Sequence, residues 1–259
     1  LDFLGNAFDG VQCPCIILDL QYTHSDLTTL GMNVNTGNES FTINTERKVS
    51  SEYFSFTTAD DEYNVLNKIK SISNAYFLLE NADFALGIVT GNNKAYISDK
   101  KTDDNEMVLK GADIRKYHIN PSANYIMFKP ESFQQIAPIE MYRAREKLLY
   151  RFISNQLVFA YDDKQTLSLN SCNIIIPRIP GVKMKYVLAI LNSRIAQFIY
   201  KKDFNSVKVL RSHIENIPIP AVDNSTQDEI ITLTEKLISG LEISEAEKLY
   251  DELDTFATR

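Results

Sequence analysis

The sequence predicts an α+β fold: a mixed α/β arrangement, rich in short strands and hairpins, with one amphipathic helix and a closing pair of C-terminal helices. Three observations carry this expectation. Apolar and polar residues alternate around the polar turn Asp162-Asp163-Lys164, with Leu157 to Tyr161 before it and Leu167 and Leu169 after it, the period-two pattern of a β-hairpin. The run Ile174-Ile175-Ile176 meeting Pro177 reads as a strand covered on both faces. Apolar residues at spacings of three and four recur from Lys183 to Lys202 and again after Thr226, the stripe of a half-buried helix.

In chain order, Leu1 to Gln21 ends in CPCIILDLQ, a buried-strand pattern that reads as the last strand of something larger. Tyr22 to Asn44 is rich in Thr, Asn, Ser and Gly and reads as loop, with one weak strand at Phe41 to Ile43. Thr58 as N-cap, Asp61, and the stripe Tyr63, Leu66, Ile69 and Ile72 predict a helix near Ala59 to Ser73. Two short strands should flank the turn Thr90-Gly91-Asn92-Asn93-Lys94, because Gly and Asn accept positive φ. Backbone N–H groups there, beside Lys94, offer an anion cradle, with a plain hairpin as the competing reading. Lys110, Arg115 and Lys116 stand near Tyr117, and a strand follows at Tyr125 to Phe128. Interleaved basic and aromatic side chains suit phosphate contact and stacking, although a surface loop accounts for them equally well. The stripe after Lys183 is broken only by Arg194, and Pro218 and Pro220 stop regular structure. Ile230, Leu233, Leu237 and Ile238 define one terminal helix, and Leu249, Leu253 and Phe256 a second, capped by Ser244.

The length of 259 residues allows one large domain or two small ones, with 44% apolar and 24% charged residues. No apolar run approaches the roughly 20 residues of a membrane helix. Cys13 and Cys15 stand apart from Cys172 and from the histidines. This favours a reducing, cytoplasmic setting over a disulfide framework or a metal site. A first residue of Leu reads as a piece of a longer or processed polypeptide. The net charge of −7 conceals a strong asymmetry. Residues 141–202 carry eleven Lys/Arg against three Asp/Glu, whereas residues 222–259 carry three against ten. A local patch, not the total, governs attraction to phosphate. Arg143, Arg145, Lys147 and Arg151, just before the expected hairpin, offer such a patch, with a solvated basic edge as the plainer alternative.

The ordered set TGNNKAYI, LKGADIRKY, YIMFKPE, KLLYRFISNQLVFAYDDKQTLSLNSCNIIIP, VLAILNSRIAQFIYKK and LRSHIENIPIP resembles the TaqI-like C-terminal specificity domain of restriction–modification DNA adenine methyltransferases. The likeness runs from about Ala82 to Pro220, and Leu1 to Gln21 looks like the end of the methyltransferase domain that precedes such modules. The resemblance implies tail and connector over 1–50, a β-rich specificity (target recognition) domain over 51–220 and a helical segment over 221–259. It implies a module that reads a short stretch of double-stranded DNA for a catalytic methyltransferase domain in cis or in trans, whose parent enzyme uses S-adenosylmethionine and, if it cleaves, magnesium. The DNA-binding positions so implied are Asn92, Asn93, Lys94, Lys110, Arg115, Lys116, Arg143, Arg145, Lys147, Arg151, Lys164 and Gln165, with Asp162 and Asp163 in the same loop. Side chains on base edges would specify, and phosphate contacts would position.

Catalytic signatures are missing. Asn120-Pro121-Ser122-Ala123 lacks the second proline and the aromatic of an adenine-gripping motif, and no Gly-rich cofactor loop follows a strand. The triplets Glu46-Arg47-Lys48, Asp99-Lys100-Lys101 and Asp162-Asp163-Lys164 lack the Pro-Asp that a magnesium nuclease would add. His24, His118 and His213 come without a nucleophile elbow. The expectation is therefore a fragment without catalysis, cofactor or metal. The alternative is a protein-interaction or scaffold subunit of a DNA-defence complex, its acidic tail meeting the partner.

Overall fold

Cys172 to Ile176 are buried without a break, because the strand they form has a neighbour on each edge and a layer on each face. In this computed structural model the described residues are 2–6, 8–9, 14–22, 28–47, 56–204 and 206–240, with Lys248 and Asp251. They divide into two compact units between Ser71 and Ile72.

The first unit holds β1 (Asp2–Asn6), β2 (Pro14–Ile17), β3 (Asn33–Asn35) and β4 (Ser40–Thr42) in one sheet, order β2-β1-β3-β4. A second strand thus accompanies the one expected near Phe41. Helix α1 (Asp60–Lys70) closes the unit and buries Tyr63 and Leu66. Its cap is Ala59, whose N–H donates to Glu62 Oε2 at 3.3 Å. Thr58 is instead occupied as an acceptor for Arg47, which also pairs with Asp60 at 3.0 Å. The apolar side chains of Leu4, Ile16, Ile17, Leu18 and Leu20 stay exposed.

The second unit adds β5 (Ala75–Tyr76), β6 (Ala82–Ala85), α2 (Asn93–Tyr96), β7 (Ile97–Ser98), β8 (Glu106–Leu109), β9 (Tyr125–Ile126) and α3 (Ile139–Tyr142). Then come β10 (Lys147–Arg151), β11 (Phe159–Asp162), β12 (Leu167–Ser168), β13 (Cys172–Pro177), α4 (Met184–Asn192), α5 (Arg194–Ile199), α6 (Arg211–Glu215), β14 (Ile219–Pro220) and α7 (Asn224–Ile238). One sheet runs β11-β10-β13-β6 and a second runs β12-β8-β9-β7. Val108, Leu109 and Ile126 of the second pack with Leu149, Ala160, Ile174 and Ile176 of the first in one core. The first sheet's β10, β11 and β13 also carry α4, and α7 packs on α4. A strand between two such layers has no solvent face, which is why three isoleucines can follow one another. Each contributes about 1.5–3 kcal/mol on burial.

Two expected hairpins are drawn differently. The segment after Asp162 does not fold back on β11. β12 crosses to pair parallel with β8, Leu167 opposite Val108, and the antiparallel partner of β11 is β10, Lys147 opposite Asp162. Leu167 and Ser168 are both buried in that pairing. Nor does Thr90 to Lys94 join two paired strands. It leads into the single turn α2, and β7 pairs with β9. Between them Gly87 has no room for a side chain, since a Cβ would lie 2.1 Å from the carbonyl oxygen of Leu169.

The long helix expected over 183–202 is broken at Ser193, where the backbone is extended and the hydroxyl caps α5 by accepting from Ala196 N at 3.2 Å. A π-helical turn, Tyr200–Phe204, follows. Helix α7 is capped by Asp223, which accepts from Thr226 N at 2.8 Å. The second terminal helix expected on Leu249, Leu253 and Phe256 lies outside the described residues. Among the described residues no helix is long and apolar enough to cross a membrane.

His213, in α6, yields a pH prediction. It is buried, stacks on Phe204 at 4.3 Å, and its Nδ1 accepts the Leu210 N–H at 3.2 Å. Burial therefore holds its pKa below 6.5. A histidine kept neutral by the fold contributes stability that is present above its unfolded pKa and lost as pH falls below it. Urea midpoints should drop between about pH 7 and about pH 5, and drop less in His213→Gln. His118, also held down by burial and by Arg115, keeps its share of the slope in that variant. Equal slopes in both proteins would remove His213 from the account.

Candidate nucleic-acid interface

The basic side chains expected to meet DNA are sorted by the fold into separate places. Lys147 and Arg151 stand at opposite ends of β10, a span of about 13 Å at 3.3–3.4 Å per residue.

At the Arg151 end three cations converge. Arg115, Lys116 and Arg151 line a cavity of about 480 Å³ with Gln156 and Val158. Arg151 reaches it from the strand end and donates through Nε and Nη2 to the carbonyl of Ile114, at 2.9 and 2.6 Å. Arg115 donates through Nη1 to Ala112 O at 2.7 Å and Ile114 O at 3.1 Å. The Lys116 ammonium donates to Asn192 O at 2.9 Å. Asn192, at the end of α4, is itself bracketed against the Phe159 backbone through both amide atoms, each at 3.0 Å. The acceptors of Arg115 and Arg151 are neutral carbonyls, so these bonds orient the two guanidinium groups without cancelling their charge. Each guanidinium keeps further N–H donors for an anion, since it carries five. Burial and repulsion from Arg115 both lower the pKa of Arg151, and Arg115 acts in the same sense on His118. Two separate groups thus register a positive field in this corner.

The loop that presents Arg115 and Lys116 is held under strain. Arg115 N donates to His118 O at 3.0 Å across a narrow turn whose third residue, Tyr117, sits at φ 70°. A buried tyrosine in the left-handed region persists only where its surroundings over-determine it. Here the Tyr117 N–H donates to Phe159 O at 2.7 Å and its carbonyl accepts from Tyr161 N at 3.3 Å. Lys110 lies just upstream, its ammonium on Asn124 Oδ1 at 2.5 Å.

At the other end of β10 the expectation needs correction. Lys147 is 0% exposed and forms a 2.5 Å ion pair with Asp162, itself 2% exposed, with a further bond to Tyr142 O at 2.8 Å. Neither side chain reaches a surface where a nucleic acid could touch it. The cause is register: in β10 Lys147 faces inward opposite Asp162. Burial lowers the Lys147 pKa and the Asp162 charge opposes that. Arg143 is engaged as well, bidentate to Glu106 at 2.8 and 2.6 Å, over the Phe128 ring at 5.3 Å, and donating to Gln165 O at 3.1 Å. Its bond to Glu106 raises its pKa further. Asp163, Lys164 and Gln165 remain exposed at the tip between β11 and β12.

Arg145 is exposed elsewhere, on a groove of about 860 Å³ shared with Arg178, Lys183 and Lys185. Charge there is balanced: Lys183 pairs with Asp228, Lys185 with Glu235 at 2.6 Å, and Arg178 with Asp83 at 2.9 Å. Asn92, Asn93 and Lys94 form a third exposed place. Asn93 Oδ1 accepts from Thr90 Oγ1 at 2.6 Å, and the preceding Val89 is tied to Gln135 in both directions, at 2.9 and 3.0 Å. Among the described residues no three His, Cys, Asp or Glu side chains gather where a metal ion could be held. Sequence reasoning missed Gln156, Glu106 and Asn192. Glu106 meets Arg143 across 37 positions and Asn192 meets Lys116 across 76, separations over which no local pattern signals a contact.

A search of curated proteins returned no match. Among solved structures, the chain is similar to one in a study of complex assembly and conformational transition of the type I restriction–modification system (13% identity, TM-score 0.44, 75% of this chain and 49% of that one). It is similar to the HsdS subunit from Thermoanaerobacter tengcongensis (14%, TM-score 0.40, 76% and 49%). It is also similar to the type IIL restriction–modification enzyme MmeI, solved in complex with DNA (10%, TM-score 0.42, 67% and 32%). The chain thus spans half or less of each of these. Residues 106–219 match the family described as the TaqI-like C-terminal specificity domain. The match takes in β8 to β14 and with them Arg115, Lys116 and Arg151, so this stretch of the chain is similar to that specificity domain.

Proposed function

We propose that the chain recognises a short sequence in double-stranded DNA on behalf of a restriction–modification enzyme, directing adenine-N6 methylation by a catalytic domain in cis or in trans. S-adenosylmethionine, and magnesium if the parent enzyme cleaves, would belong to that catalytic domain. The observation that carries the reading is the convergence of Arg115, Lys116 and Arg151 on one cavity inside the specificity-domain segment, oriented by carbonyls. Three pre-oriented cations suit phosphate oxygens, which fix the position of a protein on the duplex. The exposed apolar side chains of the first unit, Leu4, Ile16, Ile17, Leu18 and Leu20, offer a surface for the catalytic domain, since contiguous exposed apolar groups mark interaction sites.

The test is binding of the chain to random-sequence duplex DNA by fluorescence anisotropy over a range of salt. If the three cations each neutralise a phosphate, log affinity should fall with log salt at a slope of at least about −2.7, at about 0.9 per contact. No binding at low salt, or binding insensitive to salt, would sink the proposal.

A further inference from the structure

The tip between β11 and β12 combines a strained backbone, a buried ion pair and two exposed polar side chains. We propose that Lys164 and Gln165 are a base-reading pair, pre-set by Lys147, Asp162 and Arg143 acting as positioning residues. This rests on the DNA-recognition reading above and names the residues that would give it sequence preference.

One carboxylate closes the tip. Asp162 Oδ2 accepts from Lys147 Nζ at 2.5 Å and Thr166 N at 2.9 Å, while Oδ1 accepts from Thr166 Oγ1 at 2.8 Å and Lys164 N at 3.3 Å. Residues 162 and 166 are thereby locked together, and Lys147 anchors the lock in the core. From outside, Arg143 holds the carbonyl of Gln165 at 3.1 Å while its position is set by Glu106. Within this frame Gln165 takes φ 56°, a conformation that a non-glycine residue keeps where surrounding structure over-determines it, as at ligand clamps. A glycine would sit there without strain, so the retained side chain calls for another use. The side chains of Lys164 and Gln165 are exposed and make no hydrogen bond among the described residues.

Their chemistry specifies a ligand class. Lys donates to O6 and N7 of guanine, and Gln pairs bidentately with N6 and N7 of adenine, both on the major-groove edge. The tip lies toward the Lys147 end of β10 and the cation cavity at its Arg151 end, so base reading and phosphate contact would fall to different residues of the domain.

The experiment selects duplexes from a randomised library with the intact chain and sequences those retained. The wild type should enrich a short consensus. Lys164→Ala should lose a guanine position and Gln165→Gly an adenine position, each by roughly tenfold in preference, while binding to random DNA stays close to wild type. Lys164→Arg should keep the guanine. Thermal midpoints provide the control for folding, because Gly is at ease at positive φ and Gln165→Gly should unfold no earlier than wild type. Thr166→Val, which deletes only the hydroxyl bond to Asp162, should weaken preference at both positions without changing the bases chosen. If the wild type enriches a consensus and both tip variants return the same one, this inference fails and the DNA reading stands. A wild type that binds DNA but enriches nothing overturns the inference together with the recognition reading.

Discussion

Lys147→Met is expected to lower the unfolding free energy by about 3–5 kcal/mol, a large fraction of the roughly 5–15 kcal/mol that holds a domain together. The physical reason is asymmetry. An intact buried pair gains little net energy, because the attraction between its charges is offset by the cost of taking both out of water. Removing one partner leaves the other charge buried without compensation. Asp162, 2% exposed, would keep its bonds to Thr166 and Lys164 but lose the ammonium at 2.5 Å, and Tyr142 O would lose its donor. The double variant Lys147→Met with Asp162→Asn should recover most of the loss, since a neutral amide still accepts from Thr166. Arg143→Ala provides the contrast. Its pair with Glu106 is 32% and 42% exposed, and at that exposure solvent screening leaves about 0–1 kcal/mol. Urea midpoints of the three variants decide the matter. A Lys147→Met loss no larger than that of Arg143→Ala would show that the pair is not the buried lock described above.

The largest effect on binding is expected from neutralising the cation cavity as a unit. With Arg115→Gln, Lys116→Gln and Arg151→Gln combined, the log-affinity against log-salt slope should flatten by about 2.7. Three phosphate contacts account for about 40-fold of the affinity lost when salt rises fourfold, so the loss should be uniform across sequences. Glutamine is chosen because its amide can still donate to the carbonyls of Ile114 and Asn192, so the loop stays in place while its charge goes. The control changes net charge equally at the other basic surface: Arg178→Gln, Lys183→Gln and Lys185→Gln. Those cations already face Asp83, Asp228 and Glu235, and their removal should move the slope by less than about one contact's worth. Equal flattening in both triple variants would mean that total charge governs binding, and the cavity would lose its special place.

The sequence by itself determined the class of fold, the strand at Ile174 to Ile176, the helices near 59–73 and 226–239 and the basic character of the middle of the chain. Each of these follows from local periodicity or from a count of charges. Its ordered motifs also resemble those of a TaqI-like specificity domain, and residues 106–219 match that family. Tertiary structure decided what each charge is for. Lys147 and Arg151 lie four residues apart on one strand and look alike in the sequence, yet one is opposite Asp162 in the core and the other ends beside Ile114 O at the surface. Burial and partner, which depend on strands distant in the chain, separate an ion that locks a loop from one that can meet a phosphate. The same holds for the segment after Asp162. Period-two alternation showed that it was a strand, but only the vacant edge of β8 decided where that strand would pair, because hydrogen-bond partners across a sheet leave no mark on local sequence.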